Sequence, residues 1–413
     1  LPVNLADVPW QTLIPDGRHS WIVPANAEQY GEFMPIGVKE DVEGPPIFAK
    51  QSLGLVTSRD EWAYGFTRAD VAEKMKRHIK NYNLEVFRLS QETSVPKSID
   101  EFVNNDPNFL KWTDRLKEAL SKGESLRFVD AKLRRAYYRP FTSTFVYFDH
   151  LLNQRRYQQH HIFPSPASER ENRVIWVKVG SNWPVFCLVS DRLVDLLPQG
   201  GSQCFPFYFY DEDGSNRREN ITDWALKQFR EHYEDKKIKK WDIFYYVYGL
   251  LHHPGYREKF ADNLKRELPR IPFAPDFWAF AKAGKELAKL HLDYEKLTPH
   301  KLKWIETEDV PLSYKVEDKM RLSNDKTELK VNPSVTLAGI PPETFQYRLG
   351  NRSALDWVID QFQVTEDKRS GIKSDPNRPD DPEYIVRLVG QVVKVSLETV
   401  RIVNGLPEKY SSD

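Results

Sequence analysis

Cysteine is nearly missing. The two thiols, Cys187 and Cys204, in 413 residues cannot build a disulfide scaffold and fit a reducing cytoplasm. No apolar run approaches the roughly 20 residues that span a bilayer. Leu1-Pro2-Val3-Asn4 has neither the basic nor the apolar region of a signal peptide, and the absent starting methionine predicts a truncated or processed chain. Net charge is lacking too: 60 basic residues balance 60 acidic ones, so an anion-binding surface has to arise from local segregation. Large rings, by contrast, are plentiful. With 11 Trp, 19 Tyr and 23 Phe in a 40% hydrophobic chain, burial can offset the entropy of ordering, which excludes disorder throughout. The length allows about two to three domains.

Catalytic signatures are also wanting. There is no phosphate-cradling G-x-x-x-x-G-K-[ST], no G-x-G-x-x-G after a strand and no G-x-S-x-G elbow. His160-His161 and His252-His253 lack the i, i+4 spacing of a zinc helix, and the cysteines form no C-x-x-C, so no metal site is expected. Asp309 with Glu317-Asp318-Lys319 offers only the acid and lysine types of a metal-dependent nuclease, a spacing that a charge-rich chain produces by chance.

Pattern divides the chain. Residues 1 to about 56 read as short strands and loops, among them Trp21-Ile22-Val23 and Ile47-Phe48. Helices are predicted over 68–81, with Val71, Met75, His78 and Ile79 on one face, and over 104–122. Runs at 145–148, 173–177, 184–189 and 204–210 are β-branched or aromatic and predict strands. Beyond the polar break at 211–216 come helical patterns at 222–233, 243–252, 257–267 and 276–291, the last capped by Asp276. A β-like section follows over 302–349, then helices at 354–363 and 382–403. In the final helix Ile385, Leu388, Val389, Val392, Ser396 and Val400 share one stripe that should dock on a core.

Charge segregates between Arg127 and Lys178, where ten cations face four carboxylates. Tyr137, Tyr138, Phe141, Tyr147 and Tyr157 interleave with those cations. Guanidinium groups and rings on a β scaffold suit a nucleic-acid surface, since arginine holds phosphates and reads guanine edges. A solvated basic face with its tyrosines turned inward is the competing reading.

Several words then occur together. They are Gly54-Leu55-Val56-Thr57-Ser58-Arg59-Asp60-Glu61-Trp62, Tyr138-Arg139-Pro140-Phe141 and Cys204-Phe205-Pro206, followed by the run from Tyr246 to Arg257 and Leu268-Pro269-Arg270-Ile271-Pro272. Gly350-Asn351-Arg352-Ser353-Ala354-Leu355-Asp356-Trp357 and Asp367-Lys368-Arg369-Ser370-Gly371-Ile372 close the set. On these residues the chain resembles, over essentially its whole length, the C-terminal specificity part of type ISP restriction–modification enzymes. Those are single polypeptides joining nuclease, helicase-like motor, adenine methyltransferase and target recognition. The Tyr246–Arg257 and Leu268–Pro272 words are also similar to parts of type IIG methyltransferase–nucleases.

The resemblance implies a double-stranded-DNA reader working beside the methyltransferase catalytic domain of the same polypeptide in the bacterial cytoplasm, away from membranes. S-adenosylmethionine is then expected in that catalytic domain and no cofactor in this chain. The Asn-Pro-Pro-Tyr-type motif that holds a flipped adenine is missing here: Gly44-Pro45-Pro46-Ile47-Phe48, Ile340-Pro341-Pro342-Glu343 and Asn105-Asp106-Pro107-Asn108-Phe109 are near misses. The expected fold class is α+β: a β-rich DNA-reading body over 1–215, a helical scaffold over 216–300 and a small α+β closing section with the C-terminal helix over 301–413. Candidate DNA contacts are Arg59, Arg134, Arg135, Arg139, Asn153, Gln154, Arg155, Arg156, Ser181, Asn182, Lys368 and Arg369; Asn and Gln can pair with adenine and Arg with guanine. No residue is singled out as catalytic. Alternatives are a protein–protein coupling module of a multi-domain defence enzyme, and a metal-dependent nuclease around Asp309, Glu317 and Lys319.

Overall fold

The computed structural model describes residues 24, 26–38, 44–93, 98–178, 183–196 and 201–412; the strand expected at Trp21-Ile22-Val23 lies outside them. Two four-stranded sheets organise the first half. One runs in the order Ser52–Leu53, Gln203–Pro206, Val174–Lys178, Phe186–Ser190, antiparallel throughout. The other runs Tyr64–Gly65, Thr142–Tyr147, Leu133–Arg139, Leu193–Val194, its last pair parallel.

Side-chain alternation explains why the first sheet is buried on both faces. Val174, Trp176, Phe186, Leu188 and Cys204 join a central core with Ala136, Tyr137 and Val146 of the second sheet. Ile175, Val177, Cys187, Val189 and Phe205 point the other way, into a core built with the helices Asp223–His232, Lys240–Leu250 and Phe277–Leu292. Leu133 and Tyr147 of the second sheet meet a third core under the helices Arg68–Ser90 and Asp114–Ser121. The molecule is α+β, and its central core extends into the C-terminal part. Ile385, Leu388, Val389 and Val392 of the helix Tyr384–Asn404 belong to it, with Leu329, Val335 and Leu337 of a third sheet, Lys303–Glu306, Val335–Ala338, Glu328–Lys330, Arg321–Leu322. Among the described residues no helix is long and apolar enough to cross a membrane.

Boundaries depart from the sequence pattern where side chains compete with or extend the ladder. The helix expected over 68–81 continues to Ser90. Asn83 donates to Leu126 O at 2.8 Å, and buried Glu85 accepts from Asn104 N at 3.0 Å, so tertiary bonds override weak propensity. The helix expected from 104 starts only at Asp114, capped by Thr113. Before it, Asn104 and Asp106 accept backbone N–H groups two residues on, at 2.9 Å each, a local alternative to helix. The pattern at 257–267 divides into Pro254–Lys259 and Ala261–Leu264 at Phe260.

Candidate nucleic-acid interface

The word Thr57-Ser58-Arg59-Asp60 folds into a compact turn. Arg59 N donates to Thr57 Oγ1 at 3.1 Å, and that hydroxyl donates to Asp60 Oδ1. Ser58 sits exposed at the apex with φ of 55°, a left-handed conformation. The following helix Asp60–Ala63 anchors the turn through Trp62, which is fully buried. The approach is possible because Gly54 has no side chain: a Cβ there would lie 2.3 Å from Asp195 O.

Arg59 is not at the surface, contrary to its expected role. It is fully buried, donates to Thr113 Oγ1 at 2.9 Å and lies 3.4 Å from His78 Nε2. Burial pulls its guanidinium down to about 9. Two other arginines also turn inward. Arg134 binds Glu169 at 2.7 Å and Phe163 O at 3.1 Å. Arg139 stacks 3.9 Å from the Tyr138 ring centre and meets Asp195 at 2.6 Å, while Tyr64 O–H donates to the other oxygen of that carboxylate at 3.3 Å. Burial pushes the Asp195 carboxyl well above its usual range, opposed by Arg139. Arg135, on the opposite face of the same strand, has a half-exposed side chain that reaches Ser143 Oγ at 3.3 Å and Glu295 at 3.4 Å.

The tetrad 153–156 divides by direction. Asn153 is buried, accepting from Asp149 N at 2.8 Å and donating to Tyr147 O at 3.0 Å, so its carboxamide closes the turn and does not reach outward. Gln154 is half-buried. Arg155 holds its backbone in a two-way pair with Val56, 2.9 Å each, and leaves its side chain exposed. Arg156 binds Glu212 at 3.0 Å beside the Phe148 ring. Ser181 and Asn182 lie outside the described residues.

Lys368 and Arg369 cap a hairpin formed by Thr365–Glu366 and Lys373–Ser374. Asp367 Oδ1 accepts from Arg369 N at 3.1 Å, Ser370 N at 2.7 Å and Ser370 Oγ at 2.8 Å, and Gly371 takes φ of 63°. The turn spends its carboxylate on its own backbone and projects both cations into solvent.

A cavity of about 340 Å³ gathers these parts. Asp60, Glu61 and Lys74 line it from the first turn and long helix, Tyr138 from the strand, Asp360, Gln361 and Gln363 from the end of the helix Ala354–Gln361, and Thr365, Asp367 and Ser374 from the hairpin. Tyr138 O–H donates to Asp60 at 3.0 Å. Lys74 is engaged by Tyr64 O at 2.7 Å and Asp70 at 2.8 Å. Asp360 is held by Arg352 at 2.6 Å and accepts from Gln361 Nε2 at 2.9 Å, and Gln363 Nε2 donates to Asp360 O at 2.7 Å, so among the described lining carboxylates Glu61 is the one without a hydrogen bond or ion pair. Lys368 and Arg369 are exposed on the hairpin that lines the cavity, and Arg155 is exposed on the segment paired with Val56. Asp60 and Glu61 stand together in the word Gly54–Trp62 shared with the family, whereas no local pattern marks Asp360, Gln361 or Gln363. Among the described residues no group of acids, histidines and cysteines could hold a metal; Asp309 and Glu317 are both exposed, and Lys319 lies 3.5 Å from Asp360.

Residues 46–388 match the family described as Type ISP C-terminal specificity domain. Three solved structures resemble the chain with a TM-score of 0.84 each. A nuclease-deletion mutant of the Type ISP restriction–modification enzyme LlaGI, in complex with a DNA substrate mimic, is 30% identical over 99% of this chain and 37% of its own. The DrdV–DNA complex is 34% identical over 98% and 41%. The ATP-dependent Type ISP restriction–modification enzyme LlaBIII bound to DNA is 30% identical over 97% and 25%. This chain thus spans well under half the length of the solved chains it matches. No protein of curated function matches it.

Proposed function

Because the chain belongs to the family of Type ISP C-terminal specificity domains, we propose that it recognises a double-stranded DNA sequence for a longer restriction–modification enzyme that methylates adenine. The observation that carries this reading is the cavity between the Thr57–Asp60 turn and the 365–374 hairpin, acceptor-rich within and adjoined by unpaired cations. Arg155, Lys368 and Arg369 are placed to hold phosphates, which gives salt-dependent affinity. Glu61 is suited to accept from a cytosine amino group, and Gln361 and Gln363 to pair with adenine. Two of the three similar structures are DNA complexes and the third holds a DNA substrate mimic, which supports the same reading.

The partner in this proposal is the methyltransferase catalytic domain of the same polypeptide, in the cytoplasm. We assign S-adenosylmethionine to that domain, since this sequence offers neither a glycine-rich cofactor loop nor an Asn-Pro-Pro-Tyr motif. Exposed Trp304, Ile305, Val310 and Leu312, on and after an edge strand, favour a second surface for a polypeptide neighbour.

Selection of bound duplexes from a random pool tests the proposal. A recurring sequence is the expected result. Arg155→Ala with Arg369→Ala should lower affinity roughly tenfold and reduce the salt slope by about 2. Equal retention of all sequences, or an unchanged slope in the folded double variant, would overturn it.

A further inference from the structure

The long helix Arg68–Ser90 has an outer face that the candidate interface leaves unused. Lys76, Arg77 and Lys80 are exposed there; Lys80 lies about one turn beyond the neighbours Lys76 and Arg77, and the three form one ridge. Two of them lie on aromatic rings. The Arg77 guanidinium is 4.5 Å from the centre of Trp62, and the Lys76 ammonium 5.1 Å from that of Phe128. Arg127, next to Phe128 in the chain, is exposed as well.

Several helical cations elsewhere in this protein are neutralised one turn away, although Lys282, Lys285 and Lys289 of the helix Phe277–Leu292 are exposed without an ion pair among the described residues. Lys122 meets Glu118 at 2.8 Å, Lys394 meets Glu398 at 2.8 Å and Lys265 meets Asp262 at 2.9 Å. Among the described residues no carboxylate pairs with Lys76, Arg77, Lys80 or Arg127. The acids on the same elements are Asp60, Glu61, Asp70, Glu73, Glu85, Glu124 and Asp130; Asp60 accepts from Tyr138 at 3.0 Å, Asp70 is taken by Lys74 at 2.8 Å, Glu85 by Arg88 at 2.5 Å and Asp130 by Arg68 at 2.7 Å. In a chain of zero net charge, four unneutralised cations on one side are a local field rather than a general surplus.

We propose that this ridge, Lys76, Arg77 and Lys80 with Arg127, grips the phosphodiester backbone of a duplex. The inference rests on the DNA-recognition reading and extends its footprint. Trp62 belongs to the helix Asp60–Ala63 that also lines the acceptor-rich cavity, so a strand lying on the ridge continues past the sequence-reading site. Cations over rings, without hydrogen-bonding amides among them, recognise charge and carry no base preference. The ridge therefore sets affinity for every sequence alike.

The experiment uses the full chain and compares wild type, Lys76→Gln/Lys80→Gln, Lys76→Arg/Lys80→Arg and Arg77→Gln in duplex titrations over a salt series, with circular dichroism as the folding control. The glutamine pair should weaken cognate and random duplexes by the same factor, on the order of tenfold, and lower the salt slope by about 1.8. Arg77→Gln should lower it by about 0.9, and the arginine pair should match wild type. If wild type binds duplex selectively while both glutamine variants keep its slope and affinity, the ridge faces another polypeptide and the inference fails alone. If wild type retains no duplex at any salt, the recognition reading falls and takes the ridge with it.

Discussion

At the scale of single residues, the arginines of the basic strip are sorted by the carboxylates they meet. Arg134 finds Glu169, Arg139 finds Asp195 and Arg156 finds Glu212, whereas Arg155 finds none among the described residues. Those acids lie 35 to 56 positions away, so the strip's surplus of charge was legible while its direction was not. The Arg139–Asp195 pair carries a prediction. Arg139→Ala strands a buried carboxylate and should cost about 3–5 kcal/mol, read by urea denaturation. Asp195→Asn in the same chain should recover a large part of that loss. Additive losses in the double variant would mean that the two groups do not act as a pair.

Among the elements, the helices Lys240–Leu250 and Phe277–Leu292 cross with their backbones nearly touching. A Cβ on Gly249 would lie 2.4 Å from Phe280 O, and one on Gly284 would lie 1.8 Å from Tyr245 O. This close approach gives Gly249, in the word shared with the family, a physical reason: the contact leaves no room for a methyl group on either side. Gly284→Ala should therefore destabilise the protein by about 1–3 kcal/mol or more through overpacking, despite alanine's better helix propensity. A denaturation midpoint equal to wild type would refute the crossing. Helix existence here and the Asp276 cap were readable from local pattern, and that cap accepts from Ala279 N at 2.9 Å. The strand Leu133–Arg139 was not, because Arg134-Arg135 interrupts its apolar alternation and only Glu169 makes a buried arginine tolerable.

Across the whole molecule, three cores share sheets and so link distant segments. Buried histidines at their junction make stability depend on pH. His252 bonds Tyr248 O at 2.8 Å, and His291 bonds Tyr248 Oη at 2.6 Å and Thr399 Oγ1 at 2.9 Å. Burial, with Arg257 adding to it, lowers His252 from 6.5 to about 3; burial, with His252 adding to it, lowers His291 well below 6.5. Each stays neutral in the folded state while the unfolded chain takes up a proton near pH 6.5. Their contribution is thus complete above pH 6.5 and declines as pH falls toward 3. Unfolding free energy should fall between pH 6.5 and 5, and His252→Gln should flatten that decline. A slope identical to wild type would show that His252 is not held neutral.

Periodicity, capping residues and turn chemistry determined the longer helices, the strands around 145–148, 173–177, 184–189 and 204–210, and the α+β class, since these depend on neighbours within a few positions. The family words and the missing catalytic motifs were likewise visible in the one-dimensional chain. Tertiary structure alone decided which cations stay free and which acceptors line the cavity. Whether a guanidinium is solvated or buried depends on the carboxylate that folding brings within about 3 Å, and Asp60 meets Gln361 and Asp367 across one cavity only because the second sheet and the hairpin pack together.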